Sequence, residues 1–134
     1  MASMTPEKTC LIVDDEPSIR AYLKAILLNE QFQALEADNA PQAFRLVQKL
    51  NGGLDLIVTD VKMPGDMDGV DLAYAIRQAF PQIPVVVVSG YPSPEVTRTW
   101  TQDFAFIQKP FKPEAILTVV KTVTAGRRCR TASG

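Results

Sequence analysis

The sequence predicts an α/β domain built on a doubly wound sheet of five parallel strands. Short apolar runs alternate along the chain with longer segments of helical period, which is the pattern of βα units. Two of the runs, "LDLIVTD" and "IPVVVVSG", are β-branched and apolar on both faces, as expected of central strands covered by helices on each side. A length of 134 residues and a hydrophobic content of 46% suit one folded domain.

The five strands are predicted from the apolar runs and from the turn-forming residues that bound them. Each run is short, and each is separated from the next by a segment long enough for a helical crossover. The predicted strands cover residues 9–14, 32–37, 54–60, 84–89 and 104–108.

The first two crossovers carry clear helical signals. Ile19, Leu23, Ile26 and Leu27 mark one apolar face of the first helix, and we expect Arg20 and Lys24 to lie on its solvent side. The second helix has Asn39 as a plausible N-terminal cap, shows an apolar face, and ends at the "NGG" segment. Its apolar positions are Phe44, Val47 and Leu50.

The later crossovers are less uniform. A third helix is predicted from about residue 69 to 79, before Pro81, and a last helix carries Pro113 in its first turn. The apolar face of that last helix comprises Ile116, Leu117, Val120 and Val123. Between them, "YPSPEVTRTWTQD" contains two prolines and three threonines, which predicts a brief or irregular fourth helix.

The two ends lack a periodic core pattern. We therefore expect a disordered N-terminus over residues 1–7, a folded domain over 8–125, and a tail or truncated linker over 126–134.

Composition excludes several classes of function. The formal net charge is −1, from 14 basic and 15 acidic residues, so no field strong enough to hold a nucleic acid or an anionic membrane is expected. The two cysteines, Cys10 and Cys129, fit neither a zinc site nor a disulfide framework, and no apolar N-terminal signal is present, which together indicate a cytoplasmic protein. The chain contains no histidine, which removes the commonest general base.

The notable polar residues fall at the carboxyl ends of the predicted strands, where doubly wound sheets bind ligands. Asp14 and Asp15 close the first strand, Asp60 the third, Ser89 the fourth and Lys109 the fifth. If the strand order is 2-1-3-4-5, the first and third strands are neighbours, and the three carboxylates meet in one pocket. Two unit charges about 4 Å apart repel by roughly 4 kcal/mol at an effective dielectric constant near 20.

A divalent cation can offset this repulsion through oxygen ligands. Mg²⁺ characteristically takes one or two carboxylates, keeps several waters and leaves room for a phosphate. Lys109 adds a positive charge from the other side of the predicted pocket. Such a site suits phosphoryl transfer, in which Asp60 could be the nucleophile, because carboxylates do form aspartyl-phosphates.

Four segments resemble, in order and roughly in spacing, the receiver domain of two-component response regulators. These segments are "LIVDDEP", "DLIVTDVKMPGDMDG", "VVVVSGY" and "FAFIQKPF". The likeness extends from about residue 8 to 125, and each segment lies at a predicted strand end. The resemblance implies a flavodoxin-like, CheY-like (βα)5 fold with strand order 2-1-3-4-5.

The resemblance also implies roles for individual residues. Asp60 is then the phosphoacceptor, Asp15 a direct Mg²⁺ ligand and Asp14 an outer-sphere ligand, with the backbone carbonyl of Lys62 as a further ligand. Lys109 would pair with the phosphoryl oxygens and precede a cis peptide bond to Pro110. The switch residues would be Ser89, whose hydroxyl binds the phosphoryl group, and Phe106, which turns inward.

Further expectations concern partners and output. The phosphodonor would be a histidine kinase or a histidine phosphotransfer protein. Phosphorylation would switch a face formed by the fourth helix, the fifth strand and the last helix for an unknown downstream effector. We expect no binding of nucleic acid or membrane by this domain, and no enzymatic activity other than its own phosphorylation and dephosphorylation.

This sequence departs from the usual receiver pattern in several places. "MPGDMDG" is one residue longer than the common form of that loop, Gly90 stands where alanine is usual, and Phe106 lacks the hydroxyl of the frequent tyrosine. The interval from Ser89 to Lys109 is about two residues shorter than in well-known members. The output face is therefore the part of the family pattern that transfers least.

Two other functions remain open. A Mg²⁺-dependent phosphohydrolase of the haloacid dehalogenase type also uses aspartate, lysine and further acids, although "DDEPS" lacks its D-x-D pattern. A receiver-like docking module that is never phosphorylated is the second alternative. Taken alone, Asp14 and Asp15 could also serve simply as caps for the first helix.

Overall fold

The protein forms a five-stranded parallel sheet covered by helices on both faces. The computed structural model describes residues 8–63, 65–90 and 104–133, with side chains as far as residue 125. The strands are β1 (Lys8–Val13), β2 (Phe32–Ala37), β3 (Leu56–Asp60), β4 (Val85–Ser89) and β5 (Ala105–Gln108). The helices are α1 (Pro17–Leu28), α2 (Ala40–Lys49), α3 (Gly69–Ala79) and α4 (Pro113–Ser133).

The strand order is β2-β1-β3-β4-β5, and every neighbouring pair is parallel. This confirms the doubly wound architecture and the order predicted from the sequence. The five strands begin within two residues of their predicted starts. Because β1 and β3 are adjacent, residues that are 46 positions apart in the chain leave the sheet side by side.

Apolar side chains from the two faces of the sheet form two separate clusters. Leu11, Val13 and Ile57 point toward α2 and α3, whereas the alternate residues Cys10 and Ile12 point toward α1 and α4. This alternation follows from the two-residue period of a strand. All residues of β3 and β4 are buried, because helices cover both faces of the sheet. This explains why these two strands are rich in β-branched residues.

Local capping fixes where the helices begin. Asn39 accepts a hydrogen bond from the Gln42 backbone N–H, which confirms it as the cap of α2. Helix α3 starts with a reciprocal capping box between Asp68 and Asp71, which the sequence analysis did not identify. Its bounds of Gly69 and Ala79 are those predicted.

The C-terminal helix is longer than the predicted domain. The backbone of α4 continues helically to Ser133, beyond the predicted domain boundary at residue 125, and so includes most of the segment predicted as a tail or linker. The predicted irregular helix between β4 and β5 and the predicted disordered N-terminus lie outside the described residues. Within the described ranges, no helix combines the length and the apolar character needed to cross a membrane.

The junction between β3 and α3 is unusually close. Gly69 donates its backbone N–H to the Val61 carbonyl at 2.9 Å, which folds the start of α3 back over the end of β3. A Cβ atom at Gly69 would overlap the backbone carbonyl oxygen of Asp60 and would lie 3.0 Å from Thr59 Oγ1. The absence of a side chain at this position therefore permits α3 to pack directly on the strand end that carries Asp60.

We predict that Gly69→Ala lowers the free energy of unfolding by about 1–3 kcal/mol, because the added methyl group displaces either α3 or the Asp60 backbone. Urea denaturation followed by circular dichroism measures the change. Gly90→Ala is the matched control, since an added Cβ there meets no heavy atom within 4 Å among the described residues. Equal stability of the two variants would contradict the proposed close contact.

Candidate functional site

Three aspartates converge at the carboxyl edge of the sheet. Val13 of β1 pairs with Thr59 of β3, so that Asp14 and Asp60, the residues that follow them, lie side by side. Carboxylate oxygens of Asp14, Asp15 and Asp60 all lie within 4.8 Å of one another. The structure thus brings together the three acids that the sequence predicted to meet.

Asp14 is almost completely buried, with 1% of its surface exposed. Its Oδ1 atom accepts the Glu16 backbone N–H at 2.9 Å, and its Oδ2 atom lies 3.4 Å from the Lys109 ammonium group. Helix α1 begins after Glu16 without a side-chain cap, so neither acid serves as its N-cap residue. The pair is therefore not explained by simple helix capping.

Lys109 is positioned between two of the acids. Its Nζ atom lies 3.3 Å from Asp60 Oδ1 as well as 3.4 Å from Asp14 Oδ2. The backbone of Lys109 is held in place because its N–H donates to the Ser89 carbonyl at 2.8 Å. The predicted cis peptide bond between Lys109 and Pro110 is present. One lysine thus bridges residues from two neighbouring strands.

The pKa values of these groups reflect burial and mutual charge. Burial raises the pKa of Asp60, the Asp14 charge raises it further, and the attraction of Lys109 offsets only part of that shift. The pKa of Asp14 is also raised, first by burial, against the opposing effects of the Glu16 N–H and Lys109. Burial alone would lower the pKa of Lys109, but the Asp60 and Asp14 charges outweigh it and the pKa is raised.

Arg20 contacts this site, contrary to the prediction that it lies on the solvent side of α1. Its Nη1 atom donates to the Asp14 backbone carbonyl at 2.7 Å, and its Nε atom donates to Glu36 Oε1 at 2.9 Å. Only 16% of its side chain is exposed. The helical period failed here because a long side chain can leave the polar face of a helix and reach back toward the preceding strand end.

The two predicted switch residues occupy different environments. Ser89 is buried at the end of β4, one residue beyond Val88, the partner of Asp60 in the sheet register. Phe106 is half-buried on β5 and packs against the apolar cluster under α2 and α3. The role of both residues as a switch between two states stays a prediction.

Two open cavities flank the acids. One of about 480 Å³ is lined by Asp15, Val61, Lys62, Met63 and Asp68. Lys62, whose carbonyl was predicted as a metal ligand, therefore borders the same space as Asp15. On the other side, an apolar groove of about 450 Å³ begins at Lys109 and is lined by Ile19, Tyr22, Gly90, Lys109, Pro110 and Phe111.

The donor set suits a hard divalent cation. Three carboxylates offer oxygen ligands at a spacing that one ion can bridge, and burial raises the pKa values of Asp14 and Asp60. The described residues around the site contribute no imidazole, since the chain has no histidine. The cluster could therefore hold a metal ion of the Mg²⁺ or Mn²⁺ type.

Comparison with protein families identifies the family to which this fold belongs. Residues 10–121 match the response regulator receiver domain. The chain belongs to this family. Its fold, its sheet order and its role as a receiver domain of two-component signalling are those suggested by the four sequence segments, and neither the hydrolase nor the docking-module alternative is favoured.

Several relatives show how receiver domains of this kind are used. The chain is 34% identical over 115 residues to "Sensor kinase CckA" of Brucella abortus and 31% identical over 114 residues to a "Putative response regulator NtrX-like" protein of Rickettsia bellii. These matches cover 84% and 83% of this chain but only 12% and 23% of the relatives. The receiver domain is thus a small part of each of those longer proteins.

Solved structures support the same assignment. The CheY-like receiver domain protein of Methanospirillum hungatei superposes with a TM-score of 0.81 at 28% sequence identity. The match covers 92% of this chain and 98% of that one. Nearly the whole described chain is therefore accounted for by a single receiver domain.

We predict that Asp60→Asn stabilises the metal-free receiver domain by about 0.5–2 kcal/mol at pH 7, because it removes a buried charge whose cost Lys109 does not fully offset. Because the pKa of Asp60 is raised in the folded protein, ionisation of this carboxyl group lowers the stability of the wild type. The advantage of the variant should therefore be full above that raised pKa and disappear as the pH falls to about 3.9, the pKa of an unfolded aspartate.

Thermal unfolding in the presence of a chelator, measured between pH 7 and pH 4, tests this expectation. Asp66→Asn is the matched control, because Asp66 is an exposed aspartate of the β3–α3 loop and its replacement should change stability by less than about 0.5 kcal/mol. A destabilised Asp60→Asn variant at pH 7 would show that the Lys109 contact outweighs the repulsion.

Proposed function

We propose that Asp60 is the phosphoacceptor of this receiver domain and that Mg²⁺-dependent transfer from a phosphohistidine donor modifies it. The observation that carries the proposal is the contact of Lys109 with both Asp60 and Asp14 inside a cluster of three converging carboxylates. Asp15, Asp60 and the Lys62 carbonyl would hold the ion directly, and Asp14 would act as the outer-sphere ligand.

The proposed transfer forms one bond and breaks one bond. A carboxylate oxygen of Asp60 attacks phosphorus, the P–N bond to the donor imidazole breaks, and its electron pair remains on the imidazole nitrogen. The product is an acyl phosphate on Asp60 and a free histidine on the donor. Mg²⁺, when bound, would neutralise charge on the phosphoryl oxygens and orient them.

Residues of the chain supply the remaining electrostatic stabilisation. The three carboxylates carry three negative charges, of which Lys109 offsets one and a divalent cation the other two. An incoming phosphoryl group then meets a site without net repulsion. The raised pKa of Lys109 keeps its ammonium group charged at neutral pH, so that it can follow the phosphoryl oxygens when the acyl phosphate forms.

The donor must reach Asp60 from outside the sheet edge, where the apolar groove next to Lys109 is open. The rings of Tyr22 and Phe111, which both line this groove, have centroids 5.9 Å apart and are tilted by 41°, and Tyr22 is 41% exposed. We assign this surface to a histidine kinase or histidine phosphotransfer protein, which supplies the imidazole that this chain lacks. A cytoplasmic site of action belongs to the same proposal and agrees with Cys10 as a free, buried thiol.

The output of phosphorylation would be a change between two conformations. The Ser89 hydroxyl would bind the phosphoryl group, and Phe106 would turn inward when Ser89 shifts. These movements would alter the face formed by the segment between β4 and β5, by β5 and by α4. In this proposal the domain catalyses only its own phosphorylation and dephosphorylation, and no reaction on a separate substrate.

We predict that acetyl phosphate with Mg²⁺ adds one phosphoryl group to the wild-type protein, on Asp60. Lys109 contacts both Asp60 and Asp14, but both carboxylate oxygens of Asp14 already have partners, the Glu16 N–H and Lys109. Intact mass spectrometry should show a single adduct that hydroxylamine removes, as expected of an acyl phosphate. The adduct should be absent in Asp60→Asn and without Mg²⁺.

Three outcomes separate the candidate functions. Continued turnover of a phosphate ester with no requirement for a donor protein would favour the hydrolase. A folded wild-type protein that takes up neither phosphate nor beryllofluoride would favour the docking module. An adduct that persists in Asp60→Asn would contradict the choice of acceptor.

We also predict that Mg²⁺ stabilises the wild-type protein, by about 2.7 kcal/mol when its concentration is 100 times the dissociation constant. Asp15→Asn should lose most of this gain, because it removes a ligand, while its stability without metal stays within about 0.5 kcal/mol of the wild type, because Asp15 is exposed. Thermal unfolding with and without Mg²⁺ measures both quantities, and an undiminished Mg²⁺ effect in the variant would contradict the ligand role.

A further inference from the structure

We propose that Arg20 is a positioning residue for the metal site, because its guanidinium group holds the peptide that joins Asp14 to Asp15 in one orientation. This inference rests on the proposed function, in which those two acids serve a bound Mg²⁺. Arg20 itself touches neither the metal nor the phosphoryl group in this proposal. It acts through the backbone of the acidic pair.

The contact is made to one specific peptide group. Arg20 Nη1 donates to the carbonyl oxygen of Asp14 at 2.7 Å, and this carbonyl belongs to the same planar unit as the Asp15 N–H. The Asp14 N–H donates to the Ala37 carbonyl of β2 at 3.1 Å. Asp14 is therefore held on both sides, by the sheet before it and by Arg20 after it.

Asp15 depends on this backbone contact more than its neighbours do. Its side chain is exposed, and among the described residues no hydrogen bond or ion pair holds its carboxylate in place. Asp14 and Asp60, in contrast, are both fixed by Lys109. Rotation of the Asp14–Asp15 peptide would move the Asp15 carboxylate away from the other two acids, and the Arg20 hydrogen bond to the Asp14 carbonyl opposes this rotation.

Glu36 anchors the guanidinium group in turn. It lies opposite Ile12 in the β1–β2 register and accepts from Arg20 Nε at 2.9 Å. The Arg20 hydrogen bond is the main reason that the pKa of Glu36 is lowered, and Lys24 lies 3.5 Å from its other oxygen. The planar guanidinium group of Arg20 donates hydrogen bonds to the Asp14 carbonyl and the Glu36 carboxylate at the same time. The ammonium group of a lysine, on a flexible side chain, holds two such acceptors less well.

A purely stabilising ion pair between Arg20 and Glu36 is the competing explanation. Such a partly exposed pair contributes about 0–1 kcal/mol and carries no information about metal binding. The two explanations differ in their predicted effect on Mg²⁺ affinity, since loss of the residues that orient metal ligands typically weakens binding about 10–100-fold.

The test is calorimetric titration of the full chain with MgCl₂ for the wild type and four variants. Arg20→Gln should weaken Mg²⁺ binding at least about tenfold, and Arg20→Lys nearly as much. Glu36→Gln should change it by less than about threefold, because glutamine can still accept from Nε. Arg45→Gln, which removes an exposed arginine of α2, is the charge-matched control and should leave the affinity unchanged.

A second measurement uses the metal-free protein. Amide hydrogen exchange should be faster at Glu16 in Arg20→Gln than in the wild type, because the Glu16 N–H is bonded to Asp14 Oδ1 and opens when the acidic pair loses its fixed backbone. Exchange in β4 should stay the same. A general loss of stability would instead accelerate exchange in both places.

The outcomes decide the proposal in each case. A folded Arg20→Gln variant that binds Mg²⁺ within twofold of the wild type overturns it. If that variant does not fold, wild-type affinity in Arg20→Lys overturns it equally. If the wild type itself binds no Mg²⁺, the proposed function fails. The positioning role is then tested separately, and it is overturned if exchange at Glu16 is the same in metal-free Arg20→Gln as in the metal-free wild type.

Discussion

Repulsion between carboxylates that are held in a half-buried pocket is the constraint on which the rest of this receiver domain depends. A folded protein normally avoids such a cluster, because ionised groups that lose water without a partner are costly. Here Lys109 is the one described cation in contact with both buried acids, and burial raises the pKa values of Asp14 and Asp60 despite the attraction of Lys109. A bound divalent cation can relieve this repulsion.

The scaffold maintains this arrangement through backbone contacts more than through side chains. The β1–β3 register places Asp14 beside Asp60, Gly69 lets α3 press on the carbonyl of Asp60, and the Ser89 carbonyl fixes the start of Lys109. A parallel sheet with buried faces is stiff, so the acids cannot simply separate to reduce their repulsion. The three carboxylates are thereby held at a spacing that could hold a metal ion.

Access to the site differs on its two sides. Charged residues, Asp15, Lys62 and Asp68, border the first cavity, whereas the groove bordered by Tyr22 and Phe111 is predominantly apolar. A small hydrated ion suits the first space and a protein surface the second. This division agrees with the proposal that the domain takes its phosphoryl group from another protein.

The sequence by itself determined the alternation of strands and helices, the five strand ends, and the meeting of Asp14, Asp15, Asp60 and Lys109. These follow from short-range periodicity and from the rule that parallel strands expose their carboxyl ends on one edge. Tertiary structure alone decided the contacts of Arg20, the close approach of α3 to β3 at Gly69 and the two cavities. Those features depend on distances between elements that are remote in the chain, and the helical period places Arg20 on the polar face of α1 without showing that its flexible side chain returns to Asp14 and Glu36.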